Sequence, residues 1–185
     1  LLTLDEASVR ALIPAIEAEG VAALAVVFLH SYVNPEHELR AGAILAEGLP
    51  GVAITLSHQV CPEIREYERT STALANAYVQ PLMAGYLERL ASGLKTAGLD
   101  CPLLLMTSAG GVVNVEAAMA EPVRLVESGP AGGAILAAGL AAANGEAQAL
   151  AFDMGGTTAK LTLIDDFQPQ YARSFEVARA YRFLK

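Results

Sequence analysis

Residues 149–164, Ala-Leu-Ala-Phe-Asp-Met-Gly-Gly-Thr-Thr-Ala-Lys-Leu-Thr-Leu-Ile, constrain this chain more than any other stretch. An apolar run ending near Asp153 turns through Gly155, Gly156, Thr157 and Thr158 and resumes as an alternating strand, which specifies a β-hairpin with a polar tip. Paired glycines let backbone N–H groups approach a ligand with no Cβ in the way, and successive N–H groups in such a turn form an anion-binding concavity. Phosphate suits that concavity. The Thr157 and Thr158 hydroxyls can donate to its oxygens, while Asp153 can hold a hydrated magnesium ion or orient an attacking water. A plain hairpin also needs Gly-Gly for its turn, so spacing alone leaves both readings open.

Composition narrows the class. A hydrophobic content of 54% against 17% charge excludes a disordered chain, and 185 residues suffice for one sizeable domain or two small ones. The longest wholly apolar run, residues 21–29, is about half of the ~20 residues that a membrane helix needs, so a buried strand is expected there. No basic and apolar leader opens the chain, and nothing argues for secretion. A net charge of −8 argues against nucleic acid as a principal partner. Cys61 and Cys101 each precede a proline and lack metal or redox spacing, so both are expected to be ordinary thiols of a cytoplasmic protein.

Along the chain, Thr3-Leu4-Asp5-Glu6 has the form of a capping box for an amphipathic helix ending at Gly20. A strand over 21–29, a helix from Asn34-Pro35-Glu36 to about residue 47 and a strand over 52–56 follow. That alternation predicts parallel strands. Residues 63–98 read as one helix carrying Ile64, Tyr67, Leu74, Tyr78, Leu82, Tyr86, Leu90 and Leu94 on a stripe, with a break or kink at Pro81. Its first turn, with Glu63, Arg65, Glu66, Glu68 and Arg69, reads as a solvated face of paired charges.

Residues 102–106 form a short strand, and Ser108, Gly110 and Gly111 follow its carboxyl end, where ligands sit in open α/β sheets. Asn114 caps a brief helix. Ser128, Gly129, Gly132 and Gly133 lie at the start of a small-residue helix ending at Asn144-Gly145, where free N–H groups and a positive dipole suit an anion. Close helix packing explains Gly132 and Gly133 equally well. After the hairpin, a turn at Gln168-Pro169 and a third meander strand over 170–177 are expected. His30 and His58 each follow a strand, a position for a ligand or base, though a hydrogen-bonded structural histidine is the commoner case.

Asp-Met-Gly-Gly-Thr-Thr-Ala-Lys at 153–160 resembles a phosphate loop of the actin-like ATPase superfamily and, more narrowly, the hydantoinase A/5-oxoprolinase family. Pro62-Glu63-Ile64-Arg65-Glu66-Tyr67-Glu68-Arg69-Thr70-Ser71-Thr72, Met106-Thr107-Ser108-Ala109-Gly110-Gly111 and Ser128-Gly129-Pro130-Ala131-Gly132-Gly133 carry the same resemblance in the family's order. Many members place Asp where Lys160 stands and Asn where Ala109 stands.

The resemblance implies an α/β, ribonuclease H-like or actin-like ATPase fold, incomplete here, with a mixed sheet flanked by helices. It implies that residues 1–60 close an N-terminal domain and that residues 61–185 open the ATPase domain of a longer protein. The implied cofactors are ATP and Mg2+. Asp153 is then catalytic and supports the metal through water. Gly155, Gly156, Thr157, Thr158, Ser128, Gly129, Gly132 and Gly133 bind the nucleotide. Arg65, Glu66, Tyr67, Glu68, Arg69, Ser108, Gly110 and Gly111 contribute to a functional or substrate surface.

The implied activity is ATP-dependent opening of a cyclic amide, hydantoin or 5-oxoproline in type, with a second subunit of hydantoinase B type as partner. An ATP-dependent ketone carboxylase subunit and a nucleotide-gated regulatory subunit are the alternatives. With an upstream phosphate loop and the adenosine side missing, these 185 residues alone are expected to hydrolyse little ATP. The Walker A loop, Gly-x-Gly-x-x-Gly, His-Glu-x-x-His, Cys-x-x-Cys and Gly-x-Ser-x-Gly are all absent from the sequence.

Overall fold

The computed structural model describes residues 2–172, together with the backbone of the strands Ser174–Val177 and Tyr181–Leu184. The first unit is helix α1 (Glu6–Glu19), strand β1 (Ala23–Val26), helix α2 (Glu36–Gly48) and strand β2 (Ala53–Leu56). β1 and β2 are parallel, with Ala23 opposite Ala53 and Val26 opposite Leu56. Asp5 rather than Thr3 caps α1: its carboxylate accepts the N–H groups of Ala7 and Ser8, and Gly20 ends the helix in the left-handed region. Val26, Ala41, Leu45, Leu49 and Leu56 form the core of this unit, with Ile13, Ile16 and Phe28 packed against it. Ile44 on α2 is wholly buried, which is worth about 1.5–3 kcal/mol relative to exposure.

Helix α3 (Ser57–Val60) leads into α4 (Glu66–Thr96), a 31-residue helix onto which the rest is fastened. α4 starts three residues later than its charge pattern predicts. Arg65 stands at φ 88, and the Glu63 carbonyl accepts from the Arg69 guanidinium at 3.0 Å. Pro81 does not break the helix. It removes the N–H that the Ala77 carbonyl would accept, but Asn76 and Gln80 tie this turn to Thr55 and to the Ala120 carbonyl at 3.0–3.2 Å.

Much of the apolar stripe points outward: Leu74, Tyr78, Leu82 and Tyr86 are exposed, whereas Arg69, Thr72, Ala73, Asn76 and Ala77 are buried. Small side chains admit close contact with β1, β2 and the elements that follow, and polar ones replace the apolar seam with hydrogen bonds.

Strands β3 (Leu104–Met106) and β4 (Val112–Asn114) form an antiparallel hairpin, so Ser108, Gly110 and Gly111 lie in a hairpin turn and not at the strand end of an open α/β sheet. Asn114 caps α5 (Val115–Ala120) by accepting from the Ala117 N–H at 2.9 Å, as its position implies. A 3₁₀ turn (Pro122–Leu125) leads to α6 (Ser128–Asn144), closed by Gly145. β5 (Gln148–Met154) and β6 (Ala159–Asp165) make the long hairpin.

Gln168–Pro169, expected as a turn, is instead β7 and supplies the third strand of the meander. Ser174–Val177 (β8) pairs with Tyr181–Leu184 (β9). The class is therefore mixed α/β, but the described strands form four small sheets, not one mixed sheet. α6 packs on β5 and β6, leaving Leu150, Phe152, Met154, Leu161 and Leu163 exposed on the hairpin.

Candidate functional site

The start of α6 meets the hairpin at a charged row. Glu127, immediately before the helix, has a left-handed backbone at φ 68 and gives no side-chain cap. Its carboxylate is instead ion-paired with Lys160 on β6, and Lys160 lies directly opposite Asp153 on β5. Cross-strand partners share a face, so two carboxylates and one ammonium line the approach to the helix N-terminus. The N–H groups of Ser128 and Gly129 precede the first helical hydrogen bond, from Ala131 N–H to the Glu127 carbonyl at 3.4 Å. Pro130 has no N–H to offer. A 17-residue helix ending here directs its positive dipole end at the row.

Two cavities open on this row. One, of about 300 Å³, is lined by Gly129, Gly133 and Ala137 of α6 and by Phe152, Asp153 and Lys160 of the hairpin. The other, of about 320 Å³, is lined by Ser108, Glu127, Pro130, Lys160, Thr162 and Tyr171. A Cβ on Gly129 or Gly133 would meet nothing within 4 Å, so packing does not require glycine at either place. At Gly132 it would touch Met106 Cγ at 3.6 Å, an ordinary contact. Unspent helix N–H groups, a lysine and open glycine positions are what a phosphate group needs. Among the described residues no group of three or more His, Cys, Asp and Glu could hold a metal ion, and Asp153 is the carboxylate that the smaller cavity offers.

The hairpin tip is exposed. Gly155 N–H donates to the Thr158 carbonyl at 3.1 Å, and the Thr157 and Thr158 hydroxyls lie 3.4 Å apart. Among the described residues the N–H groups of Gly156, Thr157 and Thr158 have no hydrogen-bond partner. Thus Asp153 joins the start of α6, while residues 155–158 stay solvent-facing and line neither cavity.

Around residue 108 one glycine, Gly110, has a structural reason. Thr107 donates through N–H and hydroxyl to the Gly111 carbonyl at 2.8 and 3.2 Å. Gly110 stands at φ 84, and a Cβ there would lie 2.7 Å from Ile135 Cδ1. Ser108 is buried and lines the larger cavity, and its N–H donates to the Arg124 carbonyl at 2.8 Å.

The 65–69 segment divides. Tyr67 is exposed, and Arg65 reaches toward Glu68 at 3.9 Å. Arg69 is wholly buried, contrary to the solvated face its charge suggests. Its guanidinium donates to the Phe28 and Glu63 carbonyls and to Ser57 Oγ at 2.9–3.2 Å, approaches Glu66 at 3.6 Å and lies 5.6 Å from the Tyr32 ring centre. Beside it Glu38, also wholly buried, accepts from the Phe28 and His58 N–H groups, the Ser57 hydroxyl and His58 Nδ1 at 2.8–2.9 Å. Burial pushes the Glu38 carboxyl up, but these donors outweigh it and hold the group below its ordinary value. Sequence reasoning passed over Glu38 because an acid in the first turn of a helix reads as a surface charge.

The chain matches the hydantoinase/oxoprolinase family over residues 69–183 and the N-terminal region of the same family over residues 1–49. It belongs to the hydantoinase/oxoprolinase family. Among family relatives, the caprolactamase subunit alpha of Pseudomonas jessenii is 34% identical over 95% of this chain and 25% of its own. The ATP-dependent caprolactamase of that organism has a solved structure that superposes with a TM-score of 0.77 at 38% identity, covering 87% of this chain and 23% of that one.

The 5-oxoprolinase of Saccharomyces cerevisiae is 34% identical over 88% of this chain and 12% of its length. A nucleotide-free structure of acetone carboxylase, from work on ATP-dependent acetone carboxylation, superposes over the whole chain with a TM-score of 0.82 at 25% identity and 27% coverage of its own chain. This hydantoinase/oxoprolinase chain thus spans from 12% to 27% of the length of these relatives. No helix among its described residues is long and apolar enough to cross a membrane.

Proposed function

We propose that this chain forms part of an ATP-dependent enzyme that opens a cyclic amide ring. The observation that carries the reading is the meeting of Asp153 and Lys160 with the uncapped start of α6 across a cavity onto which Gly129 and Gly133 open. Relatives named as caprolactamase and 5-oxoprolinase set the class of ring. The Ser128 and Gly129 N–H groups and Lys160 hold phosphate oxygens, Gly132 and Gly133 let the nucleotide approach, and Asp153 holds hydrated Mg2+ or orients water. Gly155, Gly156, Thr157 and Thr158 close over the terminal phosphate from the tip.

ATP supplies a phosphoryl group that turns the amide oxygen into part of a better electrophile. Lys160 is released from Glu127 as phosphate binds, because a phosphate competes with the carboxylate for the same ammonium. Residues 61–185 belong to an actin-like ATPase domain and residues 1–60 to the preceding domain. The whole acts in the cytoplasm with a second subunit of hydantoinase B type, a partnership supported by the subunit names of its relatives.

A second reading, a subunit of an ATP-dependent ketone carboxylase, is favoured by the likeness to acetone carboxylase over the entire chain. Phosphate release by the intact protein with its partner subunit separates the two. Stimulation by caprolactam, 5-oxoproline or hydantoin supports ring opening; stimulation only by a ketone with bicarbonate supports carboxylation; stimulation by neither contradicts both.

A further inference from the structure

The carboxyl ends of β1 and β2 carry a second constellation that the nucleotide cleft does not use. Ser31 and Ser57, beyond β1 and β2 respectively, bring the two ends together with their hydroxyls 3.2 Å apart. His58 follows Ser57, and its Nδ1 lies 2.8 Å from Glu38 Oε1. An ionised carboxylate only accepts, so Nδ1 donates to Glu38, and the tautomer this contact selects is the one that leaves Nε2 as the basic nitrogen.

No hydrogen bond of Nε2 occurs among the described residues, and no buried side-chain nitrogen or oxygen there lacks a partner, so Nε2 reaches solvent. The side chain is otherwise tightly held, with 13% of its surface exposed. Two strained non-glycine residues stand at the same edge: His30 at φ 56 and Arg65 at φ 88. Glu66 joins them, accepting from the His30 N–H at 3.5 Å. Such strain persists only where the surroundings fix it, and it concentrates at sites of function.

This edge adjoins the nucleotide cleft. Arg124 connects the two: its carbonyl accepts from the N–H of cavity-lining Ser108 at 2.8 Å, and its guanidinium donates to the carbonyl of Gln59, next to His58, at 3.4 Å. Arg124 thus ties the backbone beside His58 to a residue that lines the larger cavity.

We propose that the carboxyl-terminal edge of β1 and β2 is the ring-amide site, and that His58, oriented by Glu38, moves the protons of ring opening through Nε2. The inference rests on the ATP-dependent ring-opening reading. Transfer of the γ-phosphoryl group of ATP to the amide oxygen releases ADP and the ring N–H proton and leaves a carbon–nitrogen double bond, to whose carbon water adds. Nε2 takes a proton from that water and returns it to the ring nitrogen. The carbon–nitrogen bond then breaks as the remaining hydroxyl proton follows the same route. Both hydrogens of the water end on the released amine and its oxygen on an acyl phosphate, which a second water hydrolyses to carboxylate and inorganic phosphate. Exposed Arg65 at the rim suits the carboxylate of a ring acid such as 5-oxoproline.

The variant that separates a catalytic role from a structural one is His58→Asn. Its amide N–H can replace Nδ1–H toward Glu38, while the outer nitrogen is gone. In the intact protein with its partner subunit, ring-stimulated phosphate release is expected to fall about 10²-fold or more in this variant. Its melting temperature and its affinity for Mg-nucleotide should remain those of the parent, and imidazole should restore part of the turnover of His58→Gly. Wild-type turnover by His58→Asn would overturn the proposal, as would loss of nucleotide binding in step with stability.

Calorimetry with caprolactam, 5-oxoproline and hydantoin, without nucleotide, gives the second readout. Binding that weakens in His58→Asn supports the site. A wild type that binds Mg-nucleotide but none of the rings overturns this inference and leaves the cleft reading standing, whereas ring binding without nucleotide binding overturns the cleft reading alone.

Discussion

The polar knot under β1 and β2 and the cleft at the start of α6 spend their hydrogen-bonding capacity in opposite ways. In the knot, Glu38 accepts from four donors and Arg69 donates to three acceptors, all short and all in a region with no exposed surface on either residue. In the cleft, helix N–H groups go uncapped, the tip keeps three N–H groups unpaired among the described residues, and two glycines face open space. The first arrangement fixes a geometry; the second leaves donors unspent, which is what the proposed anion site requires. Burial decides which is which, because an unpaired polar group is tolerable only where water or a ligand can reach it.

The sharpest way to break this contrast is Arg69→Ala. It takes a donor from the part-buried Phe28 and Glu63 carbonyls and from the Ser57 hydroxyl and empties the space of a wholly buried side chain, so unfolding in urea should show a loss of about 3–5 kcal/mol. The mirror experiment in the cleft is Asp153→Asn. Its side chain is exposed and makes no hydrogen bond among the described residues, so stability should change by less than about 0.5 kcal/mol while ring-stimulated ATP turnover falls roughly 10²-fold. A stability loss as large as that of Arg69→Ala would erase the distinction.

Asn76→Ala should fall between these in its effect on stability. It removes the acceptor of the Val123 N–H and a donor to both Thr55 and the Ala120 carbonyl, at a cost of about 1–3 kcal/mol in thermal or chemical unfolding.

Acid acts on the knot through Glu38. Its carboxyl is held below the ordinary value of 4.5, so its contribution is complete above that pH and is lost as pH falls through the lowered folded value. Melting temperatures measured from neutral pH downward should decline over that window, and Glu38→Gln should flatten that part of the decline.

The two regions also differed in how far the sequence disclosed them. Asp153, the glycine pairs and the start of α6, the groups of the proposed cleft, stood out in the sequence because glycine, threonine and aspartate mark a turn and a helix start by type and order. β1, β2, α2, α5 and α6 were legible from periodicity and caps, within a few residues at their ends. The knot was not. Glu38 and Arg69 lie in helical first turns where charge is ordinarily solvated, and only long-range contacts with Phe28, Ser57 and His58 bury them.

The outward stripe of α4 failed for the same reason: Leu74 and Tyr78 satisfy a helical period, but Asn76 and Thr72 hold the inward face through partners more than 40 residues away or within their own helix. Similarly, nothing local announces that Lys160 pairs with Glu127, or that two-residue β7 replaces a turn.

Gly133→Ala, alone among these substitutions, is expected to stabilise the fold, and it tests the central claim most directly. A Cβ there meets no atom within 4 Å and replaces a helix-weakening glycine, so the fold should gain up to about 1 kcal/mol. The same methyl group enters the cavity beside Asp153, so calorimetry on the intact protein should show Mg-ATP binding weakened tenfold or more. Unchanged Mg-ATP affinity in a stabilised Gly133→Ala protein would mean that the nucleotide does not lie against the start of α6.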